Sequence, residues 1–99
     1  MRYGFEDDDL RRLYEDAAFH LPRFHPDVVK AYRKKVTLIS AATSQLELRQ
    51  HKALRLEKLK GDRVGQHSVR LNDQWRLILR FSKDNSGQFV VVIEIADYH

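Results

Sequence analysis

Apolar and polar side chains alternate through two neighbouring stretches in the second half of the chain. The later stretch places Trp75, Leu77, Leu79 and Phe81 at one parity and Arg76, Ile78 and Arg80 at the other. The earlier one alternates Val69 and Leu71 with Ser68, Arg70 and Asn72. Successive side chains of a strand point to opposite faces. The pattern therefore predicts a hairpin that turns at residues 72–73, with one apolar face and one face that carries arginines.

Helical spacing precedes this hairpin twice. A first helix is predicted after the capping run at residues 7–9, and its apolar positions are Leu10, Leu13, Tyr14, Ala17 and Leu21. Pro22 is expected to end it. A second helix is predicted to begin at residues 25–27, with Pro26 near its first position, and its apolar stripe is Val28, Tyr32, Val36 and Ile39. A short helical turn from Gln45 to Gln50, capped by residues 43–44, completes the helical part.

Three further segments are predicted as strands. Residues 2–5 give a short edge strand, and Ala53 to Lys58 gives a strand with Leu54 and Leu56 directed inward. The stretch from Phe89 to Ile95 is rich in valine and isoleucine, which favour strands. Regular alternation there places a set of four side chains on the core face, namely Phe89, Val91, Ile93 and Ile95.

The order of these elements, helices first and then an antiparallel meander, predicts an α+β fold. Two N-terminal helices would pack on one face of a small antiparallel sheet, and a length of 99 residues predicts one domain over residues 1–99. We call the other side of the sheet the open face. Its expected side chains are Arg55, Glu57, Arg70, Arg76 and Arg80.

Positive charge is concentrated in the middle of the chain. Residues 21–80 hold fourteen basic and five acidic side chains, a balance of +9, whereas the whole chain carries +4. Such a concentration suits an anionic partner such as a phosphate backbone, and it equally suits a solvated basic surface. The basic run of the second helix is open to the same two readings, and it consists of Lys30, Arg33, Lys34 and Lys35.

The same composition limits compartment and chemistry. The chain has no cysteine, so disulfide and thiol chemistry are excluded. No apolar run approaches the ~20 residues of a membrane span, and residues 1–4 show no signal peptide. We therefore expect a cytoplasmic protein that does not contact membranes. No metal-ligand spacing, phosphate loop or serine nucleophile motif is present, so no cofactor is expected.

Cleavage of RNA by its own ribose 2′-OH needs none of those groups. It needs a base, an acid and cations that stabilise charge on the phosphate. Candidates in the chain are Glu57, Lys60, Arg70, Arg76, Tyr98 and His99. Each also has an ordinary explanation, since arginines on a sheet are usually solvated and a terminal histidine is usually only an exposed end.

Three motifs, taken together, resemble one family. They are LEKLKGDRVG at residues 56–65, SVRLNDQWR at residues 68–76 and DYH at residues 97–99. At this spacing they look like the HigB toxins, of the RelE/ParE superfamily of type II toxin–antitoxin systems, and the resemblance extends over essentially the whole chain. It implies a RelE-like fold and a ribosome-dependent endoribonuclease that cuts translated mRNA without a metal.

The resemblance also implies partners and residue roles. A HigA-type helix-turn-helix antitoxin would neutralise the chain, and only that complex would bind operator DNA. By position, Lys60 and Arg76 would bind the scissile phosphate, and Asp97, Tyr98 and His99 would form the terminal part of the site. Glu57 and Arg70 are further catalytic candidates, and neighbouring basic residues would contact RNA, namely Arg55, Lys58 and Arg63.

Two departures leave the proton-transfer roles open. Some HigB toxins have a histidine where Glu57 aligns, and glutamate can act as a base but not as a cation. In some members the strand arginine falls nearer Asn72 than Arg70. Two other functions are also kept as alternatives: a ParE-like toxin that inhibits a topoisomerase, and a nucleic-acid-binding module without catalysis.

Overall fold

Five strands form one sheet, in the order β1-β5-β4-β3-β2, in the computed structural model of the protein, which describes residues 1–98. The strands are β1 (Arg2–Phe5), β2 (Glu57–Lys58), β3 (His67–Arg70), β4 (Trp75–Asp84) and β5 (Gly87–Asp97). The helices are α1 (Asp8–Glu15), α2 (Pro26–Ala41) and α3 (Gln45–Gln50). The helices pack on one sheet face around a shared core, so the α+β prediction is confirmed.

The sheet is mixed rather than purely antiparallel, which corrects one part of the prediction. The β2–β3, β3–β4 and β4–β5 pairs are antiparallel, whereas β1 runs parallel to β5. A parallel pair needs a long crossover connection, and the helices between β1 and the meander supply it. The predicted edge strand at residues 2–5 is confirmed.

Helix α1 begins where the sequence predicts but ends at Glu15, seven residues before the predicted boundary at Pro22. The Asp7 side chain caps it by accepting from the Asp9 and Leu10 amides at 2.7 and 3.3 Å. The helix stops at Glu15 because Asp16 is extended and accepts a bond from the Ala18 amide at 2.9 Å. Such local side-chain bonds compete with helical ones.

Helix α2 confirms the predicted second helix. His25 caps it by accepting from the Asp27 amide at 3.1 Å, and all four residues of the predicted apolar stripe are buried. Within that stripe the Tyr32 hydroxyl donates to the Leu10 carbonyl at 2.7 Å, and burial raises the Tyr32 pKa well above its usual value. No helix within residues 1–98 is both long enough and apolar enough to cross a membrane.

Two residues of the basic run on α2 are used inside the fold. The Arg33 Nε donates to the Leu13 carbonyl at 2.7 Å, and its Nη2 donates to the Asp16 and Phe19 carbonyls, each at 3.3 Å. These acceptors lie in the last turn of α1 and just beyond it, where carbonyls lack helical partners. The Lys35 Nζ donates to the Ala53 carbonyl at 3.0 Å, and burial, assisted by nearby cations, lowers the Lys35 pKa.

The predicted strand from Ala53 to Lys58 is wrong over most of its length. Lys52–Leu54 forms a 3₁₀ helix, Arg55 follows in a left-handed conformation with φ 46° and ψ 53°, and only Glu57–Lys58 pairs as a strand. A left-handed residue interrupts an extended chain, so pairing with β3 starts late. Leu54 is buried as predicted, whereas Leu56 is only half-buried.

A β-bulge in β5 overturns the predicted core face of that strand. Ile78 pairs with Glu94 and Leu79 pairs with Val92, so Ile93 is an extra residue. Val90 and Val92 therefore face the core together with Ile95, while Phe89 and Val91 lie on the open face. One extra residue exchanges the two faces of a strand, and regular alternation cannot predict it.

Candidate functional site

Arg76 lies on the open face of β4, between Arg70 of β3 and Ala96 of β5 in the register. Its Nε donates to the Ser68 Oγ at 2.8 Å, and its Nη2 donates to the Arg55 carbonyl at 2.7 Å. Only 13% of the side chain is exposed. Hence the guanidinium is fixed at two of its nitrogens by the protein itself.

Both of these acceptors are uncharged. The Ser68 hydroxyl is fully buried, and the Arg55 carbonyl is presented by the left-handed residue before β2. A carboxylate oxygen of Glu57 lies 3.9 Å from the Arg76 Nη2, beyond hydrogen-bond distance, and Glu57 is largely exposed. The bonds that hold Arg76 in place thus come from neutral groups, and Glu57 adds a loose, largely exposed ion pair that offsets its charge only weakly.

Arg70 shares the open face and lies directly opposite Arg76 across the β3–β4 pair. Like charges at opposed positions repel. Arg70 forms an ion pair with Asp73 in the hairpin turn, which offsets part of that repulsion. Because the Asp73 side chain is almost fully exposed, this pair is weak and an incoming anion can compete for Arg70.

The end of β5 brings Asp97 and Tyr98 to the same end of the sheet as Arg76, although the pairing with Trp75 puts Asp97 on the helix side of the sheet. Asp97 pairs with Trp75 in the register, and its carboxylate accepts from the Gln74 Nε2 at 3.2 Å. The Tyr98 amide donates to the Gln74 carbonyl at 2.6 Å. The Tyr98 side chain is partly exposed. His99, predicted to be catalytic, lies outside the described residues.

A cleft of about 500 Å³ opens beside this tail. Its polar lining includes Arg63, Glu94, Asp97 and Tyr98. Arg63 and Glu94 form an ion pair on the open face. Glu94 is paired in the register with Ile78, which is fully buried although it faces away from the core. The ion pair ties the loop between β2 and β3 to β5. Sequence reasoning missed Glu94, although it is the lone charged residue in an otherwise apolar stretch.

The remaining predicted residues lie around β2. Lys60 is exposed and immediately precedes a 3₁₀ helix at Gly61–Arg63, in a loop where Gly61 and Gly65 have positive φ values of 64° and 87°. Those values favour glycine. Lys58 pairs with His67 and so points to the helix side of the sheet, opposite to Glu57. The structure thus gathers Arg55, Glu57 and Arg76, and it does not bring Lys58 to them.

Trp75 is a core residue, as the alternation predicts. Its ring packs edge-to-face on Phe24, with centroids 5.5 Å apart, and it contacts the core cluster. Arg80, two positions beyond Ile78 on the open face, is exposed and lies 3.7 Å from the carboxylate of Glu6. Within residues 1–98, no cluster of three or more histidine or acidic side chains is arranged to hold a metal ion.

These groups define what the open face can do chemically. A fixed guanidinium offers N–H donors to phosphate oxygens, and the exposed carboxylate of Glu57 can accept a proton. The phenol of Tyr98 can donate a hydrogen bond or stack on a base. The arrangement suits an anionic, single-stranded ligand that crosses β4 near Arg76.

The fold is that of the small toxins of the RelE and YoeB type. The YoeB/ParE toxin from Agrobacterium tumefaciens superposes with a TM-score of 0.62 at 20% identity, covering 100% of both chains. The YoeB-YefM complex from Staphylococcus aureus gives 0.53 at 19% identity, covering 100% of this chain and 97% of that one.

Sequence comparison then places the chain within this class. Residues 3–99 match the model of the HigB-like toxins, described as the RelE-like toxin of the type II toxin-antitoxin system HigB. Toxin HigB-1 from Vibrio cholerae is 34% identical over 82 residues, which is 82% of this chain and 84% of that relative. The chain belongs to the HigB-like toxin family, which confirms the resemblance seen in its motifs.

Proposed function

We propose that this HigB-family toxin is an endoribonuclease that cuts translated mRNA on the ribosome, without a metal or a cofactor. The observation that carries the proposal is Arg76, a guanidinium fixed on the open face by uncharged acceptors. A cation that neutral groups hold in place, and that only a loose ion pair with the exposed Glu57 offsets, is suited to charge that develops on a phosphate. Membership of the family supplies the reaction class.

The proposed reaction uses the RNA's own hydroxyl as the nucleophile. A base removes the proton of the ribose 2′-OH, and the oxygen forms a bond to the adjacent phosphorus. The bond from phosphorus to the leaving ribose oxygen breaks, and an acid delivers a proton to that oxygen. One fragment keeps a cyclic phosphate and the other a free hydroxyl, with no change of oxidation state.

The residues divide this work by chemical type. Arg76 and Lys60, with Arg70, stabilise the negative charge of the phosphate. His99 transfers a proton, since imidazole is the side chain type that can both give and take a proton near neutral pH. Asp97 and Tyr98 place it and the substrate, and Glu57 is the alternative base. Arg55 and Arg63 contribute phosphate contacts along the RNA, and Lys58 has the weakest claim because it points to the other side of the sheet.

The proposed partners follow from the same family. A HigA-like helix-turn-helix antitoxin would neutralise this chain in the cytoplasm, and operator DNA would be bound through that complex alone. A partner of this kind has a parallel in the related fold, since one similar structure is a YoeB-YefM complex. The ribosome would present the mRNA as a single strand, which could lie across the side of the sheet that the helices do not cover.

The test is mRNA cleavage on programmed ribosomes by the parent chain and by Arg76→Ala. Loss of one charge-stabilising donor is expected to slow cleavage by roughly a hundredfold or more. Arg80→Ala is the matched control, because Arg80 shares strand and face but is exposed and lies beside Glu6. It should cut at nearly the parent rate.

Two results would overturn the proposal. One is cleavage at the parent rate by both Arg76→Ala and a chain that lacks His99. The other is growth arrest with intact message and a DNA-damage response, which would point to topoisomerase inhibition.

A further inference from the structure

Ser68 is a buried polar residue that the proposed reaction does not use. It lies on β3 opposite Ile78, its side chain is fully buried, and its hydroxyl oxygen is 2.8 Å from the Arg76 Nε. Its backbone carbonyl lies 3.5 Å from the Arg76 Nη2. A buried hydroxyl on the open face, where the paired neighbours Glu57 and Ile78 are both larger, calls for an explanation.

We propose that Ser68 is a positioning residue that, together with the Arg55 carbonyl, aims the Arg76 guanidinium at the scissile phosphate. The inference rests on the proposed function, because it concerns how Arg76 acts in that reaction. Ser68 would touch neither the RNA nor the reacting atoms. Its effect would pass entirely through Arg76.

The geometry of the guanidinium supports this role. Arg76 has five N–H donors in a rigid plane, and its bonds to Ser68 and Arg55 engage Nε and Nη2. The Nη1 group takes no part in these bonds and is left for a substrate. Fixing the plane at two points removes the freedom that a long arginine side chain otherwise retains.

The choice of acceptor matters as much as the geometry. A carboxylate at the position of Ser68 would hold Arg76 equally well but would cancel its charge. A hydroxyl and a carbonyl fix the guanidinium and leave the charge for the phosphate. Serine is also small enough to lie beneath the arginine side chain without lifting it away from the sheet.

The experiment is a mutant cycle between Ser68 and Arg76, read by single-turnover cleavage on programmed ribosomes. Ser68→Ala is expected to lower the saturating rate on the order of tenfold, because a loosened guanidinium is misplaced in the transition state. The half-saturating ribosome concentration should change little. Ser68→Thr keeps the hydroxyl but adds a methyl group at a fully buried position, so it should recover part of the rate.

Arg76→Lys provides the second side of the cycle. Lysine keeps the charge but has no rigid planar fork, so Ser68 and Arg55 can no longer orient its donors. In that background Ser68→Ala should not lower the cleavage rate further, because the guanidinium through which Ser68 acts is absent. Losses that multiply in the double variant would show that Ser68 acts independently of Arg76 and would overturn the inference.

The positioning role of Ser68 and the proposed cleavage reaction would be contradicted by different results. If Ser68→Ala cuts at the parent rate while Arg76→Ala does not, the positioning role is wrong and the proposed reaction stands. If Arg76→Ala and a chain that lacks His99 both cut at the parent rate, the proposed reaction fails as well. Thermal unfolding checks that each variant folds. Should Ser68→Ala not fold, Ser68→Cys takes its place in the cycle, because sulfur is of similar size but a weak acceptor.

Discussion

Arg55 performs two separable tasks with one residue. Its carbonyl holds Arg76, and its exposed side chain is a proposed phosphate contact. The left-handed backbone that directs the carbonyl is uncommon outside glycine and costs an arginine roughly 1–2 kcal/mol. Sequence alternation could not reveal this task, because it concerns side chains and not main-chain oxygens.

Arg55→Gly separates the two tasks. Glycine adopts positive φ readily and keeps the carbonyl, so the free energy of unfolding should stay within about 1 kcal/mol of the parent. The saturating cleavage rate should persist, while RNA binding weakens slightly and loses about one phosphate contact from its salt dependence. Binding titrations at several salt concentrations, with denaturant unfolding, measure both effects.

A matched variant tests the backbone part of this argument. Arg55→Val also removes the charged side chain, but a β-branched residue is strained at positive φ. It should destabilise the fold and slow cleavage where Arg55→Gly does not. Equal saturating rates in the two variants would contradict a role for the carbonyl.

For single residues, the sequence predicted which side chains lie on the open face better than it predicted which residues they bond. Alternation and the motif put Arg76 on the open face, where the structure has it. Ser68 and Glu94 were not assigned a role, because each acts through a residue distant in sequence, at separations of 8 and 31 positions. Such pairings depend on strand register, which one sequence does not fix.

Element ends, rather than element centres, are where sequence reasoning failed. The apolar stripe of α2 and the alternation of β4 are confirmed, since burial imposes a period on the sequence. The end of α1 depends on a local bond at Asp16, and the face of β5 depends on one extra residue, Ile93. Neither feature produces a periodic pattern in the sequence.

Arg33 links two elements, and its loss should show as instability. Arg33→Ala removes donors to carbonyls at and beyond the end of α1, which should lower the free energy of unfolding by about 1–3 kcal/mol. Lys34→Ala is the control, because Lys34 is exposed on the same helix, and its effect should be within about 0.5 kcal/mol. Urea unfolding compares them. A similar, small loss in both would refute the capping role.

For the whole molecule, the order of the elements predicted the fold class. The charge distribution along the chain agreed with the proposed anionic ligand. The basic middle of the chain divides in three dimensions. Arg33 and Lys35 stabilise the helical layer, whereas Arg70 and Arg76 lie on the open face. Charge counted along a sequence cannot separate these uses, because it does not show which side chains find acceptors within the fold.

Stability of the whole fold should depend on pH through His67. Its ring packs on Phe81 at 5.0 Å, and its Nδ1 is buried without a hydrogen-bond partner among the described residues. Burial, with Arg49 and Lys58 nearby, lowers the His67 pKa. The unfolded chain therefore takes up this proton near pH ~6.5 while the folded chain does not, so stability is lost as pH falls below that value.

His67→Phe keeps an aromatic ring and removes the titration. Between pH 7 and pH 5 its free energy of unfolding should fall less than that of the parent. His20→Ala removes an exposed histidine and should leave the parent's pH dependence unchanged. Denaturant unfolding at several pH values measures each slope. Identical slopes for parent and His67→Phe would rule out His67 as the cause.

The fixed guanidinium of Arg76 has a consequence for control. Its acceptors belong to the chain itself, so the folded chain already holds this arginine in place before any substrate arrives. If the proposed function is right, Arg76 needs no conformational change to become active. Restraint would then come from the proposed antitoxin, and it would depend on the amount of that protein relative to the toxin.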